Sequence, residues 1–397
     1  MGNVTLTEGV HWVGAIDWNI RNFHGYSTRL GTSYNAYLVV DDKVTLIDTV
    51  KAPFYEVMVS RVKEIVSLDD IDYVVSNHVE MDHSGSLPMI MRDAKNARLI
   101  TLEKFGEGGL RKTFHSDWPM DTVKEGSELD LGKRKIVFIP TPMLHWPDSM
   151  CSYLLEDKIL FSMDAFGQHI ASSLRFDDEV GIDAIMPEAA KYYANILMPF
   201  GDLIVRAVDK LSNLDIDMIA PSHGVIWRTH LDTITKAYTS WGKGESKNKA
   251  LVIYDTMWGS TEKMAHAIAE GIMSEDIEVK LYNLTRSDHS DIITEVLDTK
   301  AILIGSPTLN NGIFPSVAGF LCYLKGLKPK GKLGAAFGSH GWAGGAVKAV
   351  EQELGQASID VIDSGLAIRF VPDEEELQKC TDFGKTIAVR MRKDKED

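Results

Sequence analysis

The chain has 397 residues, 44% of them hydrophobic and 25% charged, and a formal net charge of −15. That length exceeds one ordinary core and suits two domains. The acidic balance argues against a nucleic-acid partner, and no apolar run reaches the length of a membrane span. Cys151, Cys322 and Cys380 stand far apart with no C-x-x-C pair, which fits a reducing cytoplasm and excludes a built-in iron–sulfur module. The N-terminus shows no basic stretch followed by an apolar one, so nothing marks the chain for export and a cytoplasmic location is expected.

In chain order, apolar β-rich runs predict strands over Val10 to Ile16, Tyr34 to Val40 and Val44 to Ile47, then a helix over Phe54 to Val66. Further strands follow at Ile71 to Ser76, Lys135 to Ile139, Lys158 to Ser162 and Ile216 to Ala220. Turns and helices both separate these strands, which suggests an α/β/β/α sandwich rather than a parallel sheet alone. The polar, glycine-containing stretch Trp241 to Lys249 reads as a linker, placing one domain at 1–246 and a second at 247–397. Beyond it, strands Ala250 to Tyr254, Glu278 to Tyr282, Ala301 to Gly305, Leu333 to Phe337 and a late one near Gly365 to Val371 alternate with helices. That alternation is the signature of a doubly wound parallel sheet.

The densest chemistry lies in His78-Val79-Glu80-Met81-Asp82-His83, directly after a predicted strand. Buried charged groups are costly unless paired or bound to metal. His145, Asp164 and His223 follow three other predicted strands. A lone histidine at a strand end is more often a hydrogen-bonded structural residue. Four such pieces in one domain point instead to a metal site.

This half resembles the metallo-β-lactamase fold, whose hydrolases carry H-x-H-x-D-H where this chain has Glu80 in place of the second histidine. Imidazole-rich sites suit zinc, whereas added carboxylate oxygens favour iron that must reach the ferric state. With this substitution the whole chain resembles the flavodiiron proteins, in which a lactamase-like domain is fused to a flavodoxin-like one. Leu144 to Met150, Asp164 to His169, Tyr192 to Asn195 and Pro221 to Gly224 carry the resemblance too. It implies that His78, Glu80, His145 and Asp164 bind one iron, and that Asp82, Asp164 and His223 bind the other, with Asp164 bridging. His83 is placed outside the direct ligands, and His24 and Tyr193 resemble residues that line the substrate pocket. His11, His115, His230, His266 and His289 are read as incidental.

In the second half, strand Leu251 to Tyr254 runs into Asp255-Thr256-Met257-Trp258-Gly259-Ser260-Thr261. Hydroxyls at a helix start beside a strand end form a phosphate cradle, although a plain capping box reads much the same. Loops Ser306 to Gly312 and Ser339 to Gly345 follow the third and fourth strands, where ligands bind such sheets. Trp342 or Trp258 would cover a flat ring. No G-x-G-x-x-G is present, which argues against a dinucleotide site. The loops resemble those of flavodoxin, which implies FMN held by Thr256, Met257, Trp258, Ser260, Thr261, Pro307, Thr308, Asn310, Asn311, Gly312, Ser339, His340, Gly341, Trp342, Gly344 and Gly345.

The resemblance implies an oxidoreductase that passes electrons from an external donor, a rubredoxin or a reduced deazaflavin, through FMN to a non-haem diiron site. There dioxygen is reduced to water, or nitric oxide to nitrous oxide. It also implies a homodimer or a dimer of dimers. The alternative is a dinuclear zinc hydrolase with an appended flavodoxin domain, against which Glu80 argues.

Overall fold

The computed structural model describes residues 4–393. The chain divides between Thr239 and Ser240 into two compact units, and the short segment Tyr193–Gly201 packs with the second.

The first unit is built on two mixed sheets. In the seven-stranded sheet the order is Val4–Thr7, Val10–Trp12, Tyr37–Val39, Val44–Ile47, Ile71–Ser76, Arg98–Leu102 and Met120–Val123. The five-stranded sheet runs Glu128–Asp130, Lys135–Pro140, Met150–Leu154, Ile159–Met163 and Met218–Pro221. Trp12, Tyr37, Val75 and Ile100 of one sheet meet Phe138, Met150, Phe161 and Ala220 of the other in one buried cluster. Alternate residues of the first sheet, among them Leu38, Leu46 and Val74, turn to the opposite face. There Met58 and Val62 of the helix Tyr55–Lys63 and Ile90 of Leu87–Asp93 cover them. The period of two in the strands thus supplies both apolar layers of a sandwich.

Two predicted strands break in two. Val10 to Ile16 becomes Val10–Trp12 in the large sheet and Ala15–Asp17 in a small one with Thr32–Tyr34. The break falls at Gly14, where a Cβ would lie 2.3 Å from the Tyr34 carbonyl oxygen, so only glycine admits the close approach. Tyr34 to Val40 divides in the same way, into Thr32–Tyr34 and Tyr37–Val39. The predicted linker is also partly ordered: the helix Leu231–Lys243 enters it, and Lys249 opens the strand Lys249–Tyr254.

The second unit has a parallel sheet in the order Glu278–Asn283, Lys249–Tyr254, Ala301–Gly305, Leu333–His340, with Asp360–Val361 and Leu366–Arg369 both pairing to the last of these. Placing the second strand outside the first leaves a switch in winding direction beside Lys249–Tyr254. The central strands read as unbroken apolar runs because helices bury both faces. Helices Ser260–Met273 and Glu374–Lys393 pack so closely that a Cβ on Gly271 or Gly384 would meet the other helix's backbone at 2.0 and 2.2 Å.

Directly before the strand Leu333–His340 lies a buried lysine. Lys332 is 3% exposed, and its Nζ donates to Ser246 Oγ and to the Leu297 carbonyl at 3.0 and 3.1 Å. Burial pushes the ammonium down to about 7. A lysine depressed in the fold destabilises fully below pH 7, less as pH rises toward its unfolded value, and not at all above it. We therefore expect Lys332→Met to be more stable than the parent at pH 6. The relative gain should fall by about 4 kcal/mol between pH 6 and pH 10, with urea midpoints as the readout. A pH-independent difference would show that Lys332 is charged in the fold.

Candidate metal centre and cofactor pocket

Four strand exits build the first site. The strand Ile71–Ser76 delivers His78, Glu80, Asp82 and His83; the turn after Lys135–Pro140 delivers His145. The adjacent strands Ile159–Met163 and Met218–Pro221, parallel with Met163 opposite Pro221, deliver Asp164 and His223. The exits are held by local constraints. Asp48 is buried at a positive φ of 54° and accepts from both the backbone and the side-chain nitrogens of Asn77, at 2.8 and 2.9 Å. Gly224 has φ +79°, and a Cβ there would sit 1.6 Å from Gln168 Oε1, so the loop bearing His223 requires glycine.

The side chains converge in two groups that share Asp164. His78 Nε2 and His145 Nε2 lie 3.3 and 3.0 Å from Glu80 Oε2, and 3.6 and 3.4 Å from Asp164 Oδ2. His83 Nε2 and His223 Nε2 lie 3.3 and 3.1 Å from Asp82 Oδ2, and 3.1 and 3.5 Å from Asp164 Oδ1. One oxygen of Asp164 therefore faces each group. All six residues assigned to metal binding meet here, and His83, placed outside the ligands by resemblance, joins the second group.

Both Asp82 oxygens, Asp164 Oδ2, His83 Nε2 and His223 Nε2 are buried without a hydrogen-bond partner. The ion-pair distances above are short, and within each group the donor atoms lie within 4.8 Å of one another, close enough to share one ion. Orphaned buried polar atoms are rare in native proteins unless something else satisfies them. Charge says the same. Burial alone would lower the His78 and His145 imidazoles, but Asp148 and Glu80 on the one, and Asp164 and Glu80 on the other, hold both at about 10. His83 is likewise held at about 9, against burial, by Asp82 and Asp164. The cluster demands positive charge, which metal ions supply on displacing the protons. Two groups, each with imidazoles, one carboxylate of its own and one shared, fit two metal ions.

Several partners of this site were not legible in the chain. Asp148 Oδ2 takes hydrogen bonds from His78 Nδ1 at 2.9 Å and from the Val79 N–H at 2.6 Å. His223 Nδ1 is 2.8 Å from the Ser33 carbonyl oxygen. Tyr192, fully buried, donates its hydroxyl to Asp164 Oδ1 at 2.9 Å. Tyr193, the residue singled out from sequence, belongs to the second unit, its ring 5.1 Å from that of Trp241. His24 sits with Gly25 in a two-residue hairpin turn, φ +51° and +83°, between Asn22–Phe23 and Tyr26–Ser27. Its Nε2 lies 3.0 Å from Glu80 Oε1, at the rim of the cluster.

The second unit has a cavity of about 740 Å³ at the carboxyl ends of its strands. Eleven of the sixteen predicted contacts line it: Met257, Trp258, Ser260, Pro307, Thr308, Asn310, Asn311, Ser339, His340, Gly341 and Trp342. Leu309, Ala343, Phe370 and Val371 line it as well. The other five are not among the lining residues. Thr261 is buried, its Oγ1 2.9 Å from Ser339 Oγ. Thr256 Oγ1 accepts from the Gly259 N–H. Gly312 pairs with Leu309 across a turn whose Asn310 and Asn311 have φ of 49° and 60°. Gly345 packs on that turn, where a Cβ would meet the Asn311 carbonyl oxygen at 2.2 Å, and Gly344 packs on the His340 ring. Ser260 opens a 14-residue helix at one end of the cavity, so unsatisfied first-turn N–H groups face it. Trp258 and Trp342 also line it, 88% and 89% exposed. An anion cradle with bare indoles beside it fits a phosphorylated planar ring.

A lactamase-like sandwich with a carboxylate-rich dinuclear site, followed by a flavodoxin-like sheet with a ring pocket, defines a two-domain redox protein. The chain matches the model of the ODP family beta lactamase over residues 32–224 and that of flavodoxin over 252–384. It is 50% identical to a nitric oxide reductase of Moorella thermoacetica over 98% of both chains. Among solved structures it superposes on the rubredoxin oxygen:oxidoreductase of Desulfovibrio gigas with TM-score 0.97, at 39% identity over 99% of each chain. It superposes equally closely on the flavodiiron protein of Giardia intestinalis, with TM-score 0.96 and 38% identity, covering 100% of this chain and 98% of that one. The chain belongs to the flavodiiron protein family and is an oxidoreductase, not a hydrolase.

Proposed function

We propose that this flavodiiron protein draws electrons from a separate donor and reduces dioxygen to water, nitric oxide to nitrous oxide, or both. FMN in the second unit and two irons in the first would together supply up to four electrons, enough for dioxygen and more than the two that a pair of nitric oxide molecules needs. The observation that carries the reading is Asp164, buried with one oxygen toward each half of the cluster.

In this reading His78, Glu80 and His145 hold one iron and Asp82 and His223 the other, with Asp164 between. His83 Nε2 aims into the second group and is the further donor there. Tyr192 steadies the bridging carboxylate through its Oδ1. His24 stands at the rim, its side chain 21% exposed, where it would hydrogen-bond an entering gas molecule and hold a proton for the product. Ser260 and the helix start behind it would bind the flavin phosphate, and the two indoles would cover the ring.

No described helix is long and apolar enough to cross a membrane, and Cys151, Cys322 and Cys380 are all free, which supports a location in the cytoplasm. The donor we propose is a rubredoxin or a reduced deazaflavin. Because each unit carries its own site, we also propose that chains pair head to tail, flavin of one to irons of the other, as a dimer or a dimer of dimers. The test is anaerobic reduction of the metal-loaded protein with each donor, followed in oxygen and nitric oxide electrode cells. Consumption of at least one gas, with FMN as the heat-released pigment, is expected. A protein that consumes neither, or that yields only FAD, would refute it.

A further inference from the structure

The inner donors of the two metal groups nearly match. Each has two imidazole Nε2 atoms, one carboxylate of its own and one oxygen of Asp164. The outer hydrogen bonds of His78 and His223 do not match. His78 Nδ1 meets a carboxylate, Asp148 Oδ2, at 2.9 Å, whereas His223 Nδ1 meets a neutral carbonyl, Ser33 O, at 2.8 Å. Since a carboxylate only accepts, Nδ1 of His78 carries the proton and Nε2 presents its lone pair to the cluster.

Asp148 is well placed to impose this. It is 4% exposed, and the same Oδ2 is anchored by the Val79 N–H at 2.6 Å, one residue beyond His78. It lies on the turn that also bears His145, so one carboxylate ties together the two loops that supply both imidazoles of the first group. A carboxylate behind an imidazole raises its basicity and fixes its ring; a carbonyl does so less. A more basic donor favours the higher oxidation state of a metal.

We infer that Asp148 is a positioning residue that makes the two metal positions unequal. Through His78 it strengthens one donor set, so that this position holds its metal more tightly and at a lower reduction potential than the position of His223. The inference rests on the reading that His78 and His223 serve different irons of one pair.

The test begins with the parent protein titrated anaerobically with cobalt(II) and followed by its visible bands. Two ions bound in two resolved steps are expected; a single step with two equivalent ions would overturn the inference. Binding of no metal pair would instead refute the underlying ligand assignment. Asp148→Asn then removes the charge while its amide oxygen still accepts from Val79 and His78. In the iron-loaded variant, one of the two irons should pass to a chelator with an affinity about 10–100-fold weaker, the other staying as in the parent. The potential at which the first iron is oxidised should rise, read by redox titration with electron paramagnetic resonance. FMN content and the melting temperature should hold, because the hydrogen bonds remain. Unchanged iron affinity and unchanged potential in a folded Asp148→Asn protein would overturn the proposal, and so would equal weakening of both irons. Should that variant fail to fold, Asp148→Glu, which keeps the charge, and the parent's cobalt titration still test it: equal steps in the parent, or an Asp148→Glu protein whose two irons weaken equally, would overturn the proposal.

Discussion

Asp164→Ala should abolish gas reduction while the flavin stays bound. The carboxylate is fully buried and its two oxygens face different halves of the cluster, so the change strips a donor from both metal positions at once. It also leaves His78, His83, His145 and His223 without the charge that faces all four of their Nε2 atoms. Loss of the shared ligand should cut iron from about two per chain to well under one, and turnover by at least about 10³-fold, the scale on which removing a group central to a reaction acts. Tyr192→Phe should be far milder, since it deletes a single hydrogen bond of about 1 kcal/mol to the same carboxylate. Iron analysis, FMN fluorescence after heat release and an electrode assay check the contrast. An Asp164→Ala protein with full iron and full activity would mean that the two groups do not act as one centre.

The order of severity follows from where the information lies. His78, Glu80, Asp82 and His83 are legible because one loop carries them, and because acids and imidazoles directly after a buried strand have no packing explanation. The parallel strands of the second unit are equally plain, since burial on both faces leaves unbroken apolar runs. Asp148 and Tyr192 are not legible. Each sits in a segment whose own pattern is satisfied by a turn or a helix, and each acquires its role only when the fold brings it to a partner 70 or 28 residues away. His83, which the resemblance places outside the direct ligands, lies in the structure with the second group, its Nε2 and that of His223 at 3.3 and 3.1 Å from the same Asp82 Oδ2. The single strand expected over Val10 to Ile16 fails for a related reason: apart from His11 the run is apolar, and the change of sheet is signalled only by Gly14, whose necessity depends on Tyr34. Phe370 and Val371 reach the flavin pocket from a loop beyond the last strand, with no polar motif to mark them.

Ser260→Asp should empty the flavin pocket and leave the metal centre intact. The new carboxylate would stand at the first position of the helix Ser260–Met273, where it competes for the first-turn N–H groups and repels a phosphate. FMN affinity should fall by about 100-fold or more, equivalent to about 2.7 kcal/mol. Riboflavin, which has no phosphate, should lose much less, and equal losses for the two would place the phosphate elsewhere. The variant is inactive for want of flavin, and Asp164→Ala is inactive for want of iron, so the pair tests how electrons travel. If they pass within one chain, every mixture of the two stays dead, because neither chain holds both working sites. If they pass between chains, a mixed dimer joins the good flavin of the Asp164→Ala chain to the good irons of the Ser260→Asp chain. Random exchange makes half the dimers mixed, each with one working pair of two, so activity should return to about a quarter of the parent's per chain. Exchange is verified by native mass spectrometry with one variant isotopically labelled. No recovery after proven exchange, or a fully active monomer in sedimentation, rules out the route between chains.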